Sequence, residues 1–203
     1  MNEKQGDRRV RKTKKALRES LSILMAQKNI RDISVQELSD LADLNRATFY
    51  LHYKDIYDMQ QHIENEVVKE INAILETHMP LMDNRQPYPM FVALLTYISE
   101  NAGLCGMLLG KNSSRTFLDK MCVIVEERCL KNWLDRYQAK NLEKELAYFS
   151  SYIVYGYVAI IVKWVDSGMT ASPETMAEMM GNMGLHGIGF LEGIKEKGGD
   201  SAL

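Results

Sequence analysis

The chain has 203 residues, 46% hydrophobic and 26% charged, the proportions of an ordinary globular protein, which exclude disordered, collagen-like and fibrous classes. At this length roughly two-thirds of the unfolded surface can be buried without disulfide or metal staples, and three cysteines, an odd number, suit a reducing cytoplasm. The net charge of −2 hides a split: residues 1–54 carry 12 Lys/Arg against 7 Asp/Glu, a balance of +5, whereas residues 55–203 carry 13 against 20, a balance of −7.

The basic excess is sharpest at the start, where Lys4, Arg8, Arg9, Arg11, Lys12, Lys14, Lys15 and Arg18 outnumber Glu3 and Asp7. A basic head on an acidic body points to a polyanion at the head, although a charge run alone is also the ordinary solvated start of a helix. The first residues have no apolar segment behind their charges, so no secretory signal is expected. No run reaches the ~18 apolar residues of a membrane span. The expected location is cytoplasmic, without a membrane partner.

Helical periodicity dominates the chain order. Residues 10–27 place Val10, Thr13, Ala16, Leu17, Leu21, Leu24 and Met25 on one stripe, a first helix. Ser34 followed three residues later by Glu37 is a capping box opening a short helix with Val35, Leu38 and Leu41 on its apolar face. Asp43-Leu44-Asn45 reads as a turn, with Asn45 capping a third short helix that ends near Leu51. Asp55 then caps a long helix to about Thr77, with Ile56, Met59, Ile63, Val67, Ile71 and Ile74 inward. Pro80 to Pro89 reads as a loop. Helices follow at about 90–101, 103–109, 115–138 and 143–166. Gly168 stops the last of these, and Ser172-Pro173-Glu174 starts a final helix; residues 198–203 read as a frayed tail. The fold class is all-α, about nine helices: a three-helix domain at 1–54, a connecting fourth helix at 55–77, and a helical effector-binding and dimerisation domain at 78–203.

Two short helices around a tight turn, at 34–51, form a helix-turn-helix pattern, in which the second helix enters the DNA major groove. Asn45-Arg46-Ala47-Thr48-Phe49-Tyr50-Leu51 suits that role. Arg46 reaches base edges, and Ala47 allows close approach or touches a thymine methyl. Thr48 and Tyr50 offer hydroxyls to phosphates, and Lys54 offers charge with the Arg9–Lys15 cluster. Phe49 turns inward as the plug of a three-helix core. By spacing alone, a purely structural helical hairpin remains the competing reading.

The stretch Ile33-Ser34-Val35-Gln36-Glu37-Leu38-Ser39-Asp40-Leu41-Ala42, then Leu44 to Lys54, resembles the DNA-binding signature of the TetR family of bacterial transcription regulators. The run Thr48-Phe49-Tyr50-Leu51-His52-Tyr53 is its most diagnostic part. The resemblance covers roughly residues 8–75. It implies that Arg46 reads bases, that Thr48, Tyr50 and Lys54 hold phosphates, and that His52 sits at the same edge; the candidate DNA-binding set is Ser34, Asn45, Arg46, Ala47, Thr48, Tyr50, His52 and Lys54. Two positions depart from the pattern. The usual turn glycine is Asp43, which tolerates the left-handed conformation, and the usual lysine just inside the fourth helix is Ile56. That leaves Lys54 as the phosphate contact there, beside helix-terminal amides that favour an anion. Leu108 to Asn112, Lys163 to Met169 and Ser172-Pro173-Glu174 resemble the C-terminal domain of a TetR subgroup that includes dihydroxyacetone-kinase regulators.

Other chemistry is poorly supported by the residues. Cys122 and Cys129 share a helix face and read, with Cys105, as buried structural thiols. His62 and Glu66, at i and i+4, do not by themselves make a metal site. No cofactor, metal or enzymatic activity is expected. Gly181, Gly184, Gly187 and Gly189 each cost a helix about 1 kcal/mol relative to alanine; close helix–helix approach is one reason for them, a loosened helix the other. The expected assembly is a homodimer through helices 143–166 and 173–196. Phe91, Tyr97, Met107, Phe117, Met121, Trp133, Tyr148, Tyr152, Tyr155 and Trp164 read mostly as core, with a subset lining a cavity for a small-molecule effector. The reading is a ligand-responsive repressor that binds a palindromic DNA operator as a dimer. The alternative is a TetR-like protein-interaction module or co-activator with weak or lost DNA binding.

Overall fold

A computed structural model describes residues 3–78, 88–110, 115–137 and 143–186. The described residues form nine α-helices and one 3-10 turn, Ile30–Asp32, with no strand. The helices are α1 (Glu3–Gln27), α2 (Val35–Leu41), α3 (Arg46–Tyr50), α4 (Ile56–His78), α5 (Tyr88–Glu100), α6 (Ala102–Leu109), α7 (Arg115–Tyr137), α8 (Glu143–Asp166) and α9 (Pro173–His186). The all-α class and the helix count match the periodicity. The predicted loop falls mostly outside the described residues; its last two residues, Tyr88 and Pro89, stand instead in the first turn of α5, where the missing N–H of Pro89 costs nothing. The continuation of α9 to 196 and the tail at 198–203 also lie outside them.

The chain divides into two units, Met1–Glu70 with Asn101–Met121, and Ile71–Glu100 with Cys122–Leu203, so α4 and α7 each contribute to both. In the first unit, α1 packs on α2 and α6, and α2 on α3. Leu17, Leu21, Leu24 and Met25 of α1 are buried as their spacing predicts, together with Leu38, Phe49, Met59 and Ile63. The apolar stripes of α1 and α2 each fail at one end. Val10 is exposed, and so is Leu41 at the end of α2, because periodicity marks a face without saying how far neighbouring helices cover it.

In the second unit α5 packs along α9. Phe91, Leu95 and Ile98 of α5 and Met176, Ala177 and Met180 of α9 are buried. The Phe91 ring meets Tyr157 of α8 edge-on, with centroids 4.7 Å apart. α8 stops as predicted at Gly168 (φ +80°): Met169 N–H donates to Trp164 C=O and Gly168 N–H to Val165 C=O, the paired bonds of a Schellman cap. The Trp164 indole then donates to Ala171 C=O at 3.0 Å, tying the turn to the helix it follows. Ser172 caps α9, its hydroxyl accepting from Thr175 N–H.

Candidate nucleic-acid interface

The turn between α2 and α3 is built from its caps. Ser34 Oγ accepts from Glu37 N–H at 3.1 Å, one arm of the predicted capping box. The Glu37 carboxylate takes Lys28 Nζ at 2.7 Å on both oxygens instead of closing the second arm, which pins α2 to the end of α1. At the other end of α2, Leu44 N–H donates to Ser39 C=O and Asp43 N–H to Asp40 C=O, again a Schellman cap. Asp43 occupies the position where glycine is usual, with φ +52°. Asn45 then opens α3, its side chain accepting from Ala47 N–H at 2.8 Å.

This frame sorts the aromatic run. Phe49 is wholly buried and Tyr53, one turn later, nearly so, their centroids 5.7 Å apart. His52 packs edge-on to Tyr53 and is half-buried. Arg46, Ala47, Tyr50, Leu51 and Lys54 are exposed, and Thr48 is half-buried. Of the candidate residues, Ser34 and Asn45 spend their side-chain oxygens on caps. The others lie within one short stretch of α3 and the turn that follows it.

The basic start of α1 reaches the same region: Lys14 Nζ lies 5.9 Å from the Tyr53 ring centroid, cation–π range. Arg18 pairs with Glu66, tying α1 to α4. Among the described residues, Arg8, Arg9, Arg11, Lys12, Arg46 and Lys54 form no ion pair, and all are exposed. Asp55 caps α4 as predicted, accepting from Asp58 N–H at 2.8 Å, and the Asp58 carboxylate accepts from Lys54 N–H at 2.9 Å. At the entry to α4 the amides of Lys54 and Asp58 are thus already taken by carboxylates.

The comparisons follow from the C-terminal half. Residues 85–185 match a TetR C-terminal family described as "Transcriptional regulator C-terminal region". The chain belongs to the TetR family of transcriptional regulators. No curated protein matches it in sequence. Its fold is similar to two solved structures. One is the "Dihydroxyacetone kinase operon activator DhaS", at TM-score 0.53 and 20% identity over 85% of this chain and 94% of that one. The other is the fatty acid degradation regulator FadR from Bacillus halodurans, at TM-score 0.67 and 11% identity over 86% and 95%. At these identities the likeness is one of fold.

Elsewhere in this TetR-family chain, no group of three or more metal-ligating side chains is assembled among the described residues. His62 Nδ1 faces the Asp58 backbone carbonyl at 2.8 Å, and Glu66 pairs with Arg18 rather than with His62. Cys105, Cys122 and Cys129 are buried and form no disulfide; burial pushes the thiols of Cys105 and Cys129 up to about 12, which suppresses the thiolate that nucleophilic chemistry needs. Glu64 is buried on α4, where desolvation raises its carboxyl above the usual range; Lys120 and the amide donated by Gln60 act against that rise. Sequence reasoning missed the exposure of Leu51 and of Tyr57 beside the candidate set. An apolar residue one turn after Ala47, on the line that Ala47 exposes, is the signal that marks Leu51.

Proposed function

We propose that this chain is a DNA-binding regulator that holds a palindromic operator as a homodimer and, as a repressor, releases it when a small molecule occupies the C-terminal half. The observation that carries the DNA reading is the exposed set Arg46, Ala47, Tyr50 and Lys54 around α3, whose two cations form no ion pair, with the cations Arg8, Arg9, Arg11 and Lys12 of α1, which form none either. Arg46 reads a base edge, for which guanine is the commonest partner. Thr48, Tyr50 and Lys54 take phosphates and set the register, with His52 at the same edge. Ser34 and Asn45 hold the helix ends through their caps. Residues 1–54 act as the reading head, and 78–203 as the effector and dimer domain.

The dimer reading rests on α8. It is long and apolar enough to cross a membrane by length and composition, yet 17% of that apolar window is buried. Its buried residues, Ser150, Val154, Ile161, Trp164 and Val165, follow one face. The opposite side presents Tyr148 and Tyr152 at 81% and 71% exposure. A helix with one packed face and one face of bare tyrosines fits a second copy of the same helix better than lipid. Two recognition helices spaced by such a dimer enter successive major grooves about 34–36 Å apart. An effector that favours a different spacing weakens binding by its differential affinity for the two states.

The test is a salt series on DNA selected from a random pool, with Arg46→Ala and Lys54→Ala. Binding is expected to fall steeply with salt. Arg46→Ala is expected to relax base preference at about 1–3 kcal/mol, and Lys54→Ala to weaken all sequences alike. Unchanged affinity and preference in Arg46→Ala would remove the base-reading role. Absence of any selected DNA would favour the interaction-module alternative, which the exposed tyrosines of α8 also suit.

A further inference from the structure

Leu51 is 80% exposed, the largest value among the exposed large apolar residues of the first unit. A lone exposed leucine is ordinary, so its position must make the argument. Leu51 is the C-cap of α3, and its N–H donates to Ala47 C=O at 3.3 Å. It therefore stands one turn beyond Ala47 on the same line of the helix, and Ala47 is exposed as well. The two carry only methyl-bearing side chains, while exposed, unpaired Arg46 and Lys54 lie at either end of the segment. An apolar ridge inside a cationic frame is poorly suited to water, since methyls gain nothing there, and to an apolar protein partner, since the frame would be desolvated. It suits the major groove of DNA, where the phosphates meet the cations and one base, thymine, presents a methyl group to the groove.

We infer that Ala47 and Leu51 form a methyl-reading ridge that selects thymine beside the base read by Arg46, with Leu51 as a specificity-determining residue. The inference rests on the DNA-binding reading above and deepens it. Four residues of helix rise amount to about 6 Å, and stacked bases are spaced about 3.4 Å apart. The ridge therefore spans about two base steps, and the thymines it reads lie within that distance of each other in each half-site.

The experiment uses the full chain and a duplex selected from random DNA. Each thymine of a half-site is replaced in turn by deoxyuridine, which removes only the C5 methyl. Burying one methyl-sized group is worth about 0.8 kcal/mol, so the expected loss is about fourfold at one or two thymines and none at the rest. Leu51→Ala is expected to make thymine and deoxyuridine equivalent at one of those positions, and Leu51→Met to keep the difference. At this exposure Leu51→Ala should melt like the parent chain; were its melting lowered, the Leu51→Met comparison would carry the test. Equal affinity for all deoxyuridine duplexes, in a chain that still selects its site, overturns the ridge and leaves DNA binding intact. A difference that survives Leu51→Ala overturns the role of Leu51. Failure to hold any duplex even at low salt overturns the DNA reading, and the ridge with it.

Discussion

The run Thr48–Tyr53, at the end of α3 and in the turn after it, and the middle of α8 are both aromatic-rich, yet they treat their rings oppositely. In the first, Phe49 and Tyr53 turn into the core of the first unit and Tyr50 turns out. In the second, Tyr148, Tyr152 and Tyr155 turn out, and Tyr157 turns toward Phe91. The first unit closes its core around Phe49 with short capped helices, whereas α8 leaves an apolar face open. Aromatic density alone thus says little about burial; what decides it is whether neighbouring elements of the same unit reach that face.

The sharpest way to break this contrast is to remove one ring from each region. Phe49→Ala is expected to cost about 3–5 kcal/mol, the range for a fully buried phenylalanine. Tyr152→Ala, at 71% exposure, is expected to stay within about 0.5 kcal/mol in the monomer. Urea unfolding at dilute and at micromolar concentration measures both. In a dimer closed by α8, the Tyr152→Ala cost grows with protein concentration, and the Phe49→Ala cost reflects the loss of its own unit's core at either concentration. Equal, concentration-independent costs would show that the α8 face is already covered.

The next effect lies on the packed side of the second unit. A Cβ built on Gly184 would lie 2.0 Å from the Tyr157 hydroxyl and 3.3 Å from its Cζ, while one on Gly181 would meet nothing within 4 Å. Gly184→Ala is therefore expected to destabilise by about 1–3 kcal/mol through overpacking, despite the helix-propensity gain that Gly181→Ala shows unopposed. Tyr157→Phe in the Gly184→Ala background removes the nearest atom and should recover most of the loss. A thermal melt of the parent chain and the three variants decides it; a stabilised Gly184→Ala would mean that the ring swings clear of its edge contact with Phe91.

Much of this was legible in the residues, and the parts that were not share a cause. Asn45, Asp55, Gly168 and Ser172 act locally, through bonds to amides or carbonyls a few positions away, and the structure shows them at the helix ends where local pattern put them. Asp43 carried the left-handed turn in place of glycine for the same reason. Phe49 was legible because a plug on a short helix has one direction to face. Val10, Leu41, Leu51 and the tyrosines of α8 were not legible, since their exposure is set by helices distant in sequence. Arg18 finds Glu66 across 48 positions, and Lys28 draws Glu37 away from the second arm of its capping box; neither pairing leaves a periodic trace. Gly187, Gly189 and the side chain of Trp133 lie outside the described residues.

Each unit also carries a thiol that can report on it separately, Cys122 aside. Cys105 belongs to the first and Cys129 to the second, and burial pushes both from the ordinary value of 9.0 up to about 12. For Cys129 the Glu126 carboxylate adds to the effect. In the unfolded chain a thiol ionises near its ordinary value, but in the folded unit it holds its proton until about 12. The unfolded state is then the one that releases protons first. The stability tied to each thiol is complete below about pH 9 and is lost as pH rises toward 12, with a slope approaching about 1.4 kcal/mol per pH unit per thiol. Unfolding measured at pH 8 and pH 10 is expected to show that loss, and Cys105→Ala and Cys129→Ala are each expected to remove one share of it. If the units unfold together, the two variants flatten a single transition equally. If they unfold apart, Cys105→Ala flattens only the transition of the unit that contains the recognition helix, and Cys129→Ala only that of the unit that contains α8. A slope unchanged in both variants would mean that other groups set the alkaline limit.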